Sequence, residues 1–185
     1  MHNKLVIFDC FGVIMGDVAP VFLRKYLPKE KADPLKEKLF VPADLGQVTY
    51  DELLTNMAQA LGLDKAEMIA EWEKLFVLQQ EIVPVIKKLR ESYDIALLSN
   101  APLGVVEGLL ERYALNDLFD QKVISCNVKM AKPDEAIYKY CISLFNKQYD
   151  EIYMVDDNIV NLEHLPSIGI TPIHYSGVKD LEVLF

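Results

Sequence analysis

A carboxylate closes the first apolar segment of this chain. Residues 5–8 form a short apolar run bounded by a turn signal, which predicts a buried strand, and Asp9 follows it directly. A carboxylate is costly to bury and contributes nothing to packing, whereas open α/β sheets bind their ligands at the carboxyl ends of the strands. Asp9 is therefore a candidate for chemistry, although a turn cap is the alternative if it is taken alone.

Two further segments place polar residues just before prolines that are suited to the first position of a helix. In one, Ser99 and Asn100 precede Pro102, and in the other Lys132 precedes Pro133. A hydroxyl, an amide and the free N–H groups of a helix start favour an anion, and a lysine at such a start needs an anion to offset the helix dipole. These segments predict an anion site. The alternatives are ordinary helix caps by Ser99 or Asn100 and a solvated Lys132.

An acid pair ends a later apolar run. Asp156 and Asp157 follow residues 151–155 directly. Adjacent carboxylates repel each other unless a cation lies beside them, and oxygen-rich sites of this kind suit Mg²⁺. The pair therefore predicts a magnesium site, with the alternative that Asp157 caps the following helix and Asp156 is the ligand.

These motifs can form one site only in a fold that brings the ends of the strands together, and the order of predicted elements indicates such a fold. Apolar runs alternate with helical patterns over most of the chain, which predicts an α/β fold with a Rossmann-like parallel sheet and helices on both faces. In that fold the motifs lie at the same edge of the sheet. Strands are predicted at 5–8, 94–99, 122–125, 151–156 and 170–174, and helices near 84–92, 102–113, 133–145 and 158–168.

The region 16–83 departs from this alternation because its pattern indicates helices only. Thr49 and Glu52 match a capping box at the start of one helix, and Gly62 is placed to end it. We therefore predict an α/β core at 1–15 and 84–185, with a helical module inserted at 16–83. The helices of this module are predicted around 20–27, 31–39, 49–61 and 64–78.

The composition argues against several classes of protein. The chain has 185 residues, 51% of them hydrophobic, and a formal net charge of −9. This acidity argues against binding nucleic acid or an anionic membrane surface, which needs clustered Lys and Arg, and no apolar run approaches the length of a membrane span. Three widely spaced cysteines without a CxxC motif indicate reduced thiols, so a cytoplasmic location is expected.

Together the motifs provide an acid, an anion grip, a lysine and a metal site, which are the parts needed for phosphoryl transfer to a carboxylate. With these motifs the chain resembles the haloacid dehalogenase-like hydrolase superfamily, which has matching residues at Asp9, Ser99, Lys132 and the pair Asp156-Asp157 in the expected order. The resemblance covers nearly the whole chain. It is strongest to the phosphatase-like branch whose last motif reads Val-Asp-Asp.

The resemblance implies a cap and a metal site. The helical module at 16–83 falls where the family carries its small C1 cap. Mg²⁺ is expected on Asp9, Asp156 and the backbone carbonyl of Phe11, with Asp157 as the further acid of the metal site.

The resemblance also implies the catalytic roles. Asp9 is expected to attack the phosphorus atom and form an aspartyl-phosphate that water then hydrolyses. Ser99 and Lys132 are expected to assist this attack and, with Asn100, to bind the substrate phosphate, whereas Asn161 is expected to be structural. The expected activity is that of a Mg²⁺-dependent phosphatase acting on a small phosphorylated metabolite, similar to sugar-phosphate phosphatases of the glucose-1-phosphatase type, in a monomer or homodimer.

Phe11 departs from the family pattern. Family phosphatases usually carry a second Asp two residues after the nucleophile, as general acid and base for the leaving group. Phe11 keeps the backbone carbonyl but lacks this proton donor, whose help is worth roughly 10²–10⁴-fold in rate. We therefore expect that water or a cap side chain such as Asp17 takes over this role, or that the substrate has a good leaving group.

Two alternatives stay open. A 2-haloacid dehalogenase has an aromatic residue at the position of Phe11, but it needs no metal and its last motif lacks such an acid pair. It also needs an arginine for the substrate carboxylate, and the cap region offers only Arg24. The other alternative is a non-catalytic member that binds a phosphate ligand or a partner protein. The presence of Asp9 and Lys132 argues against complete loss of activity.

Overall fold

A five-stranded sheet forms the centre of the protein. The computed structural model describes residues 2–185, so Met1, the first residue of the predicted core segment 1–15, lies outside the described residues. All strand pairs are parallel, and each predicted strand is found to within one residue. The strands are β1 (Lys4–Phe8), β2 (Asp94–Ser99), β3 (Gln121–Ile124), β4 (Glu151–Asp156) and β5 (Thr171–His174), in the spatial order β3-β2-β1-β4-β5. The predicted Rossmann-like α/β fold is confirmed.

Helices of the α/β part follow the strands. The longest of them is α8, and Ser125, predicted as the last residue of a strand, instead begins the one-turn helix α7. Among residues 2–185, no helix combines the length and apolar composition that a membrane span requires. These helices are α5 (Ile82–Leu89), α6 (Val105–Arg112), α7 (Ser125–Val128) and α8 (Glu135–Ser143).

The prediction of a helix at 158–168 is wrong. Two short 3₁₀ helices, Ile159–Asn161 and Leu165–Ile168, take its place. Pro166 lies within the predicted helix, where it lacks the N–H for an i→i−4 bond and clashes with the preceding turn. The segment after β4 is therefore a series of tight turns, and these hold Asn158 and Asn161 beside the end of the strand.

Both faces of the sheet are buried, as expected for parallel strands covered by helices. Successive residues of β1 point to opposite faces, so Val6 and Phe8 enter the larger hydrophobic cluster while Leu5 and Ile7 enter the smaller one. Tyr138 of α8 is fully buried in the smaller cluster, and α5 and α6 contribute to the larger one. This packing fixes the carboxyl ends of β1, β2 and β4 at one edge.

The segment between β1 and α5 is helical, as predicted. Its third helix begins with the expected capping box, in which the Glu52 N–H donates to Thr49 Oγ1 at 3.1 Å and the Thr49 N–H donates to Glu52 Oε2 at 2.7 Å. Gly62 ends that helix with a φ of 67°. The helices are α1 (Val18–Tyr26), α2 (Lys29–Asp44), α3 (Tyr50–Leu61) and α4 (Lys65–Trp72), followed by a 3₁₀ turn at Glu73–Leu75. The division into core and cap at 15/16 and 83/84 stays a prediction.

An aromatic cluster links the inserted helices to the first motif. The Trp72 ring lies edge-on to Phe22 at 5.3 Å and to Phe76 at 5.8 Å, measured between ring centroids. Phe76 lies 6.1 Å from Phe11. Since Trp72 and Phe76 are almost fully buried, their main role is to pack the helices against the loop that follows β1.

Candidate active site

Asp9 and Asp156 lie side by side because of the strand register. Phe8 pairs with Val155, and the Asp9 N–H donates to the Val155 carbonyl at 2.9 Å, so the next residue along each strand lies at the same level. Strand β1 is also the point where the spatial order of strands reverses, which is where open α/β sheets bind ligands. The fold therefore brings the first and last motifs together as predicted.

Lys132 lies between these two carboxylates. Its Nζ is 2.8 Å from Asp9 Oδ2 and 2.6 Å from Asp156 Oδ2, and only 1% of its side chain is exposed. Burial alone would lower the pKa of Lys132, but the charges on Asp9 and Asp156 raise it above its ordinary value. The alternative of a solvated surface lysine is wrong, because this ammonium is the cation that makes the buried acids tolerable.

Burial raises the pKa of Asp9 well above its ordinary value, the Lys132 ammonium opposes that rise, and the charge on Asp156 adds to it. The carboxylate is held in one orientation because the Cys10 N–H donates to Asp9 Oδ1 at 2.6 Å. Asp9 also lines the cavity described below. It is thus an oriented carboxylate that a ligand can reach.

Hydrogen bonds occupy both oxygens of Asp156, which is completely buried. Oδ2 accepts from Lys132, the Asn161 Nδ2 group donates to both oxygens at 3.0 and 3.1 Å, and the Asn158 N–H donates to Oδ1 at 2.8 Å. The structure thus gives Asn161 a positioning contact, in line with the structural role expected for it.

Asp157 is the open member of the acid pair. Among residues 2–185, no other residue donates a hydrogen bond to its carboxylate, which is half-buried in the cavity wall. Burial, together with the charges on Asp17 and Asp156, raises the pKa of Asp157 to about 6. The alternative in which Asp157 caps the next helix is wrong. Asn158 does so instead, its side chain accepting from the Val160 N–H at 3.2 Å.

A cation fits between the three acids. One oxygen each of Asp9, Asp156 and Asp157 lies within 4.8 Å of the others, and a hard divalent ion prefers such oxygen ligands. Gly12 makes this arrangement possible. With a φ of +84°, it passes so close to Asp157 that a Cβ at Gly12 would lie 2.2 Å from Asp157 Cγ. Phe11 lines the same cavity.

Ser99 and Asn100 lie at the end of β2, on the other side of β1. The Ser99 hydroxyl is fully buried and has no hydrogen-bond partner within the described part of the chain. The Asn100 amide donates to the Lys132 carbonyl and accepts from the Lys132 N–H, both at 2.9 Å. Asn100 therefore positions the lysine segment, and its predicted binding of the substrate phosphate stays a prediction. Neither residue caps a helix.

Both prolines expected at helix starts lie outside the helices. Helix α6 begins at Val105 after Gly104, whose φ of 81° excludes a helix running on from Pro102. Helix α8 begins at Glu135 because the Asp134 side chain accepts from the Ala136 N–H at 2.9 Å and caps it there. The expectation that these prolines open the two helices is therefore wrong, whereas the binding of an anion near these segments stays a prediction.

A cavity of about 560 Å³ lies between the sheet edge and the inserted helices. Four carboxylates from the inserted segment line it. Asp17 lies before α1 and Asp44 ends α2, whereas Asp33 pairs with Arg24 and Glu37 is exposed. Asp17 was expected here from the sequence, whereas Asp44 was not. One signal could have indicated Asp44, namely that it is an acid at the carboxyl end of a helix, where the dipole disfavours negative charge. Arg24 lines the cavity too, but its guanidinium pairs with Asp33 at 2.9 Å.

Comparisons with known proteins show which family and fold the chain shares. The family model described as haloacid dehalogenase-like hydrolase matches residues 3–169. A phosphorylated carbohydrates phosphatase from Thermotoga maritima is 25% identical, covering 92% of this chain and 84% of its own.

Solved structures share the fold. A haloacid dehalogenase family enzyme from Bacteroides thetaiotaomicron, in complex with magnesium and inorganic phosphate, superposes with a TM-score of 0.76 at 22% identity and covers 98% of both chains. A 2-haloacid dehalogenase from Pseudomonas syringae has a TM-score of 0.59 at 17% identity, covering 95% of this chain and 86% of its own.

Proposed function

The chain belongs to the haloacid dehalogenase-like hydrolase family and is a phosphatase-type hydrolase, and on that premise we propose that it is a Mg²⁺-dependent phosphatase acting through an aspartyl-phosphate. The substrate class we propose is a small phosphorylated metabolite. The name of the Thermotoga maritima relative, a phosphorylated carbohydrates phosphatase, supports this class.

One observation carries the proposal: Lys132 bridges Asp9 and Asp156 while Asp157 stays open beside them. The lysine favours the ionised form of Asp9, the form in which it is a nucleophile, and its charge also favours a phosphoryl group arriving at Asp9. Asp156 holds the lysine and is itself held by Asn161. Asp9 is then the acid in this cluster that is both oriented and accessible from the cavity.

We assign the metal to Asp9, Asp157 and the backbone carbonyl of Phe11, with Asp156 as the third acid of the site. Asp156 contributes mainly through its charge, because hydrogen bonds already occupy both of its oxygens. A Mg²⁺ ion bound there offsets negative charge on the phosphoryl oxygens and on the acids themselves.

Ser99 and Lys132 are the groups we assign to the phosphate. An unpartnered buried hydroxyl costs about 1–3 kcal/mol, and a phosphate oxygen that accepts a hydrogen bond from Ser99 would remove this cost. Lys132 offers the charge, and Asn100 keeps it in place through two bonds to its backbone.

The 2-haloacid dehalogenase is the second candidate, and Phe11 is the observation that favours it. In that reaction Asp9 would displace a halide from carbon, and an arginine would hold the substrate carboxylate. The ion pair between Arg24 and Asp33 reduces the positive charge available for such a role, and a dehalogenase has no use for the open Asp157.

A turnover assay on a panel of phosphoesters, with Mg²⁺ or with EDTA, tests the proposal. We expect Mg²⁺-dependent phosphate release that is lost in Asp9→Asn, while a matched surface variant, Asp117→Asn, keeps it. Metal-independent chloride release from 2-chloropropionate would favour the dehalogenase instead. No turnover of either substrate, together with measurable binding of inorganic phosphate, would indicate a non-catalytic member.

We propose that the protein is located in the cytoplasm and is a monomer or a homodimer. The three cysteines, Cys10, Cys126 and Cys141, are free and buried, which supports a reducing compartment. Sedimentation equilibrium measures the mass of the particle directly.

A further inference from the structure

Asp44 reaches the active-site cavity from the inserted helices. It is the last residue of α2 and lines the same cavity as Asp9 and Lys132. The end of α2 is fixed against the α/β part, since Lys129 Nζ donates to the Gly46 carbonyl at 3.1 Å. The chain passes close to α7 at this point, because a Cβ at Gly46 would lie 2.9 Å from the Cys126 carbonyl oxygen. These contacts of Gly46, two residues after Asp44, help to fix the end of α2 relative to the site.

The surroundings of Asp44 favour its neutral form. A carboxylate at the carboxyl end of a helix is opposed by the helix dipole, and the last turn of α2 contains no basic residue. The side chain is half-buried, and within residues 2–185 no group donates a hydrogen bond to its carboxylate. A protonated carboxyl group can instead donate a hydrogen bond into the cavity.

The charges that face Asp44 are few. Burial raises the pKa of Asp44 to about 7, and the charges on Lys36 of the same helix and on Lys132 of the phosphate site oppose that rise. The Cys126 thiol on α7 faces it as well, and the charge on Asp44 helps raise the pKa of that thiol. Asp44 and Lys132 line the same cavity, so this carboxyl shares the space in which the phosphoryl group would lie.

Asp17 is less suited to hold a proton. It lies directly before α1, where the helix dipole favours the ionised form. Burial raises the pKa of Asp17 as well, and two cations oppose the rise as they do for Asp44, so the position relative to the helix dipole is what separates the two acids. Asp33 is paired with Arg24 and Glu37 is exposed. Of the four carboxylates that the inserted segment contributes to the cavity, Asp44 therefore has the surroundings that a general acid needs.

We propose that Asp44 is the general acid and base for the leaving group, in place of the aspartate that Phe11 replaces. This rests on the proposed phosphatase function. As Asp9 bonds to phosphorus, the bond from phosphorus to the ester oxygen breaks and that oxygen takes the proton of Asp44. The resulting carboxylate then removes a proton from the water that attacks the aspartyl-phosphate, which releases inorganic phosphate and returns Asp9 and Asp44 to their starting forms.

Two substrates with different leaving groups distinguish general acid catalysis by Asp44 from a general loss of enzyme activity. The leaving group of 4-nitrophenyl phosphate needs little protonation, whereas that of glycerol 2-phosphate is an alkoxide that needs it. We expect Asp44→Asn to lower kcat/KM by roughly 10²–10⁴-fold for glycerol 2-phosphate and by less than about 10-fold for 4-nitrophenyl phosphate. In the wild type, kcat/KM for the alkyl ester should fall above about pH 7, as the acid form of Asp44 is lost, and this decline should be absent in Asp44→Asn.

Glu37→Gln is the matched control, because Glu37 lies two turns earlier on α2 and lines the same cavity but is exposed. It should leave both activities within about 3-fold, since exposed substitutions rarely perturb a site. Four outcomes would each overturn the role of Asp44. In Asp44→Asn these are equal losses of activity on both esters, or no loss on the alkyl ester. The others are the same pattern of losses in Glu37→Gln, or a wild type that hydrolyses only the aryl ester. Failure of the phosphatase function itself is distinct: it would appear as no hydrolysis of either ester by the wild type, or as hydrolysis that persists in Asp9→Asn.

Discussion

Asn100 holds Lys132 by its backbone, donating to the carbonyl and accepting from the N–H of the same residue at 2.9 Å each. The end of β2 is thereby tied to the segment that carries the lysine, and the lysine in turn joins Asp9 to Asp156. All four motifs are thus connected by direct contacts before any ligand arrives. This connection explains why residues far apart in sequence form one rigid site.

Replacing Asn100 by Ala should lower kcat for 4-nitrophenyl phosphate by about 10–100-fold, because a displacement of about 1 Å at a catalytic group can cost 10²-fold. The loss should fall on kcat more than on KM. Asn127→Ala removes an exposed amide that donates to Glu107 at 3.1 Å, and it should leave kcat unchanged. A normal kcat in Asn100→Ala would show that Lys132 holds its place without the amide.

Gly12 should not tolerate a side chain. In Gly12→Ala the new Cβ would overlap the Asp157 carboxylate, whose atoms lie at 2.2–2.5 Å from that point. We expect loss of Mg²⁺-dependent activity and a free energy of unfolding lower by about 1–3 kcal/mol. Gly104→Ala is the control, because Gly104 has a similar φ of +81° but nothing within 4 Å of the Cβ position. It should lose some stability but retain activity, and equal loss of activity in both variants would contradict the role of close approach.

A carboxylate at position 11 should substitute for Asp44. In the Asp44→Asn background, adding Phe11→Asp should raise kcat/KM for glycerol 2-phosphate by at least about 10-fold, because general acid help is worth roughly 10²–10⁴-fold. The matched double variant with Phe11→Ala loses the same ring and its contact with Phe76 without gaining a carboxyl group. If both double variants have the same activity, position 11 cannot supply the proton in this chain.

Asp44 should also make stability depend on pH. The unfolded chain loses this proton near pH 4, whereas the folded protein keeps it up to about pH 7. The unfolded state therefore binds fewer protons between these values, and the contribution of Asp44 to stability falls as the pH rises.

Asp44→Asn removes this titration, so its gain in unfolding free energy over the wild type should be larger at pH 8 than at pH 5. We expect the difference to be about 1–3 kcal/mol, at about 1.4 kcal/mol per pKa unit with a reduction for partial exposure. Urea unfolding in EDTA at both pH values measures it, with Glu37→Gln expected to show none. A pH-independent gain would mean that Asp44 titrates normally in the folded protein.

The strands and the meeting of the motifs were predictable because both depend on local pattern and on the parallel sheet. Residues 94–99 and 151–156 are short apolar runs with clear ends, and both strands occupy these limits in the structure. Once the strands are parallel, their carboxyl ends must share an edge. Asp9, Ser99 and Asp156 therefore followed from sequence alone.

The division of labour within the acid pair could not be predicted. Asp156 and Asp157 are adjacent and chemically identical, and only tertiary contacts distinguish them. Lys132 and Asn161 donate hydrogen bonds to the Asp156 carboxylate. The Asp157 carboxylate instead lies against Gly12, where the absence of a side chain leaves room for it.

Two further features depended on competition or on distant packing. Helices α6 and α8 begin after the prolines that were expected to open them, because Gly104 and Asp134 are the cap residues. The position of Asp44 at the end of a helix marks it as unusual, but its place in the cavity depends on the packing of α2 against the α/β part, which the sequence pattern does not specify.

Direct detection of a phosphoryl group on Asp9 tests the central claim. The enzyme is mixed with 4-nitrophenyl phosphate and Mg²⁺, quenched in acid during the first turnover, digested and analysed by mass spectrometry. We predict one phosphoryl group on the peptide that contains Asp9, converted by borohydride to homoserine at that position and absent in Asp9→Asn. A phosphoryl group on another residue, or phosphate release at the wild-type rate by Asp9→Asn, would contradict it.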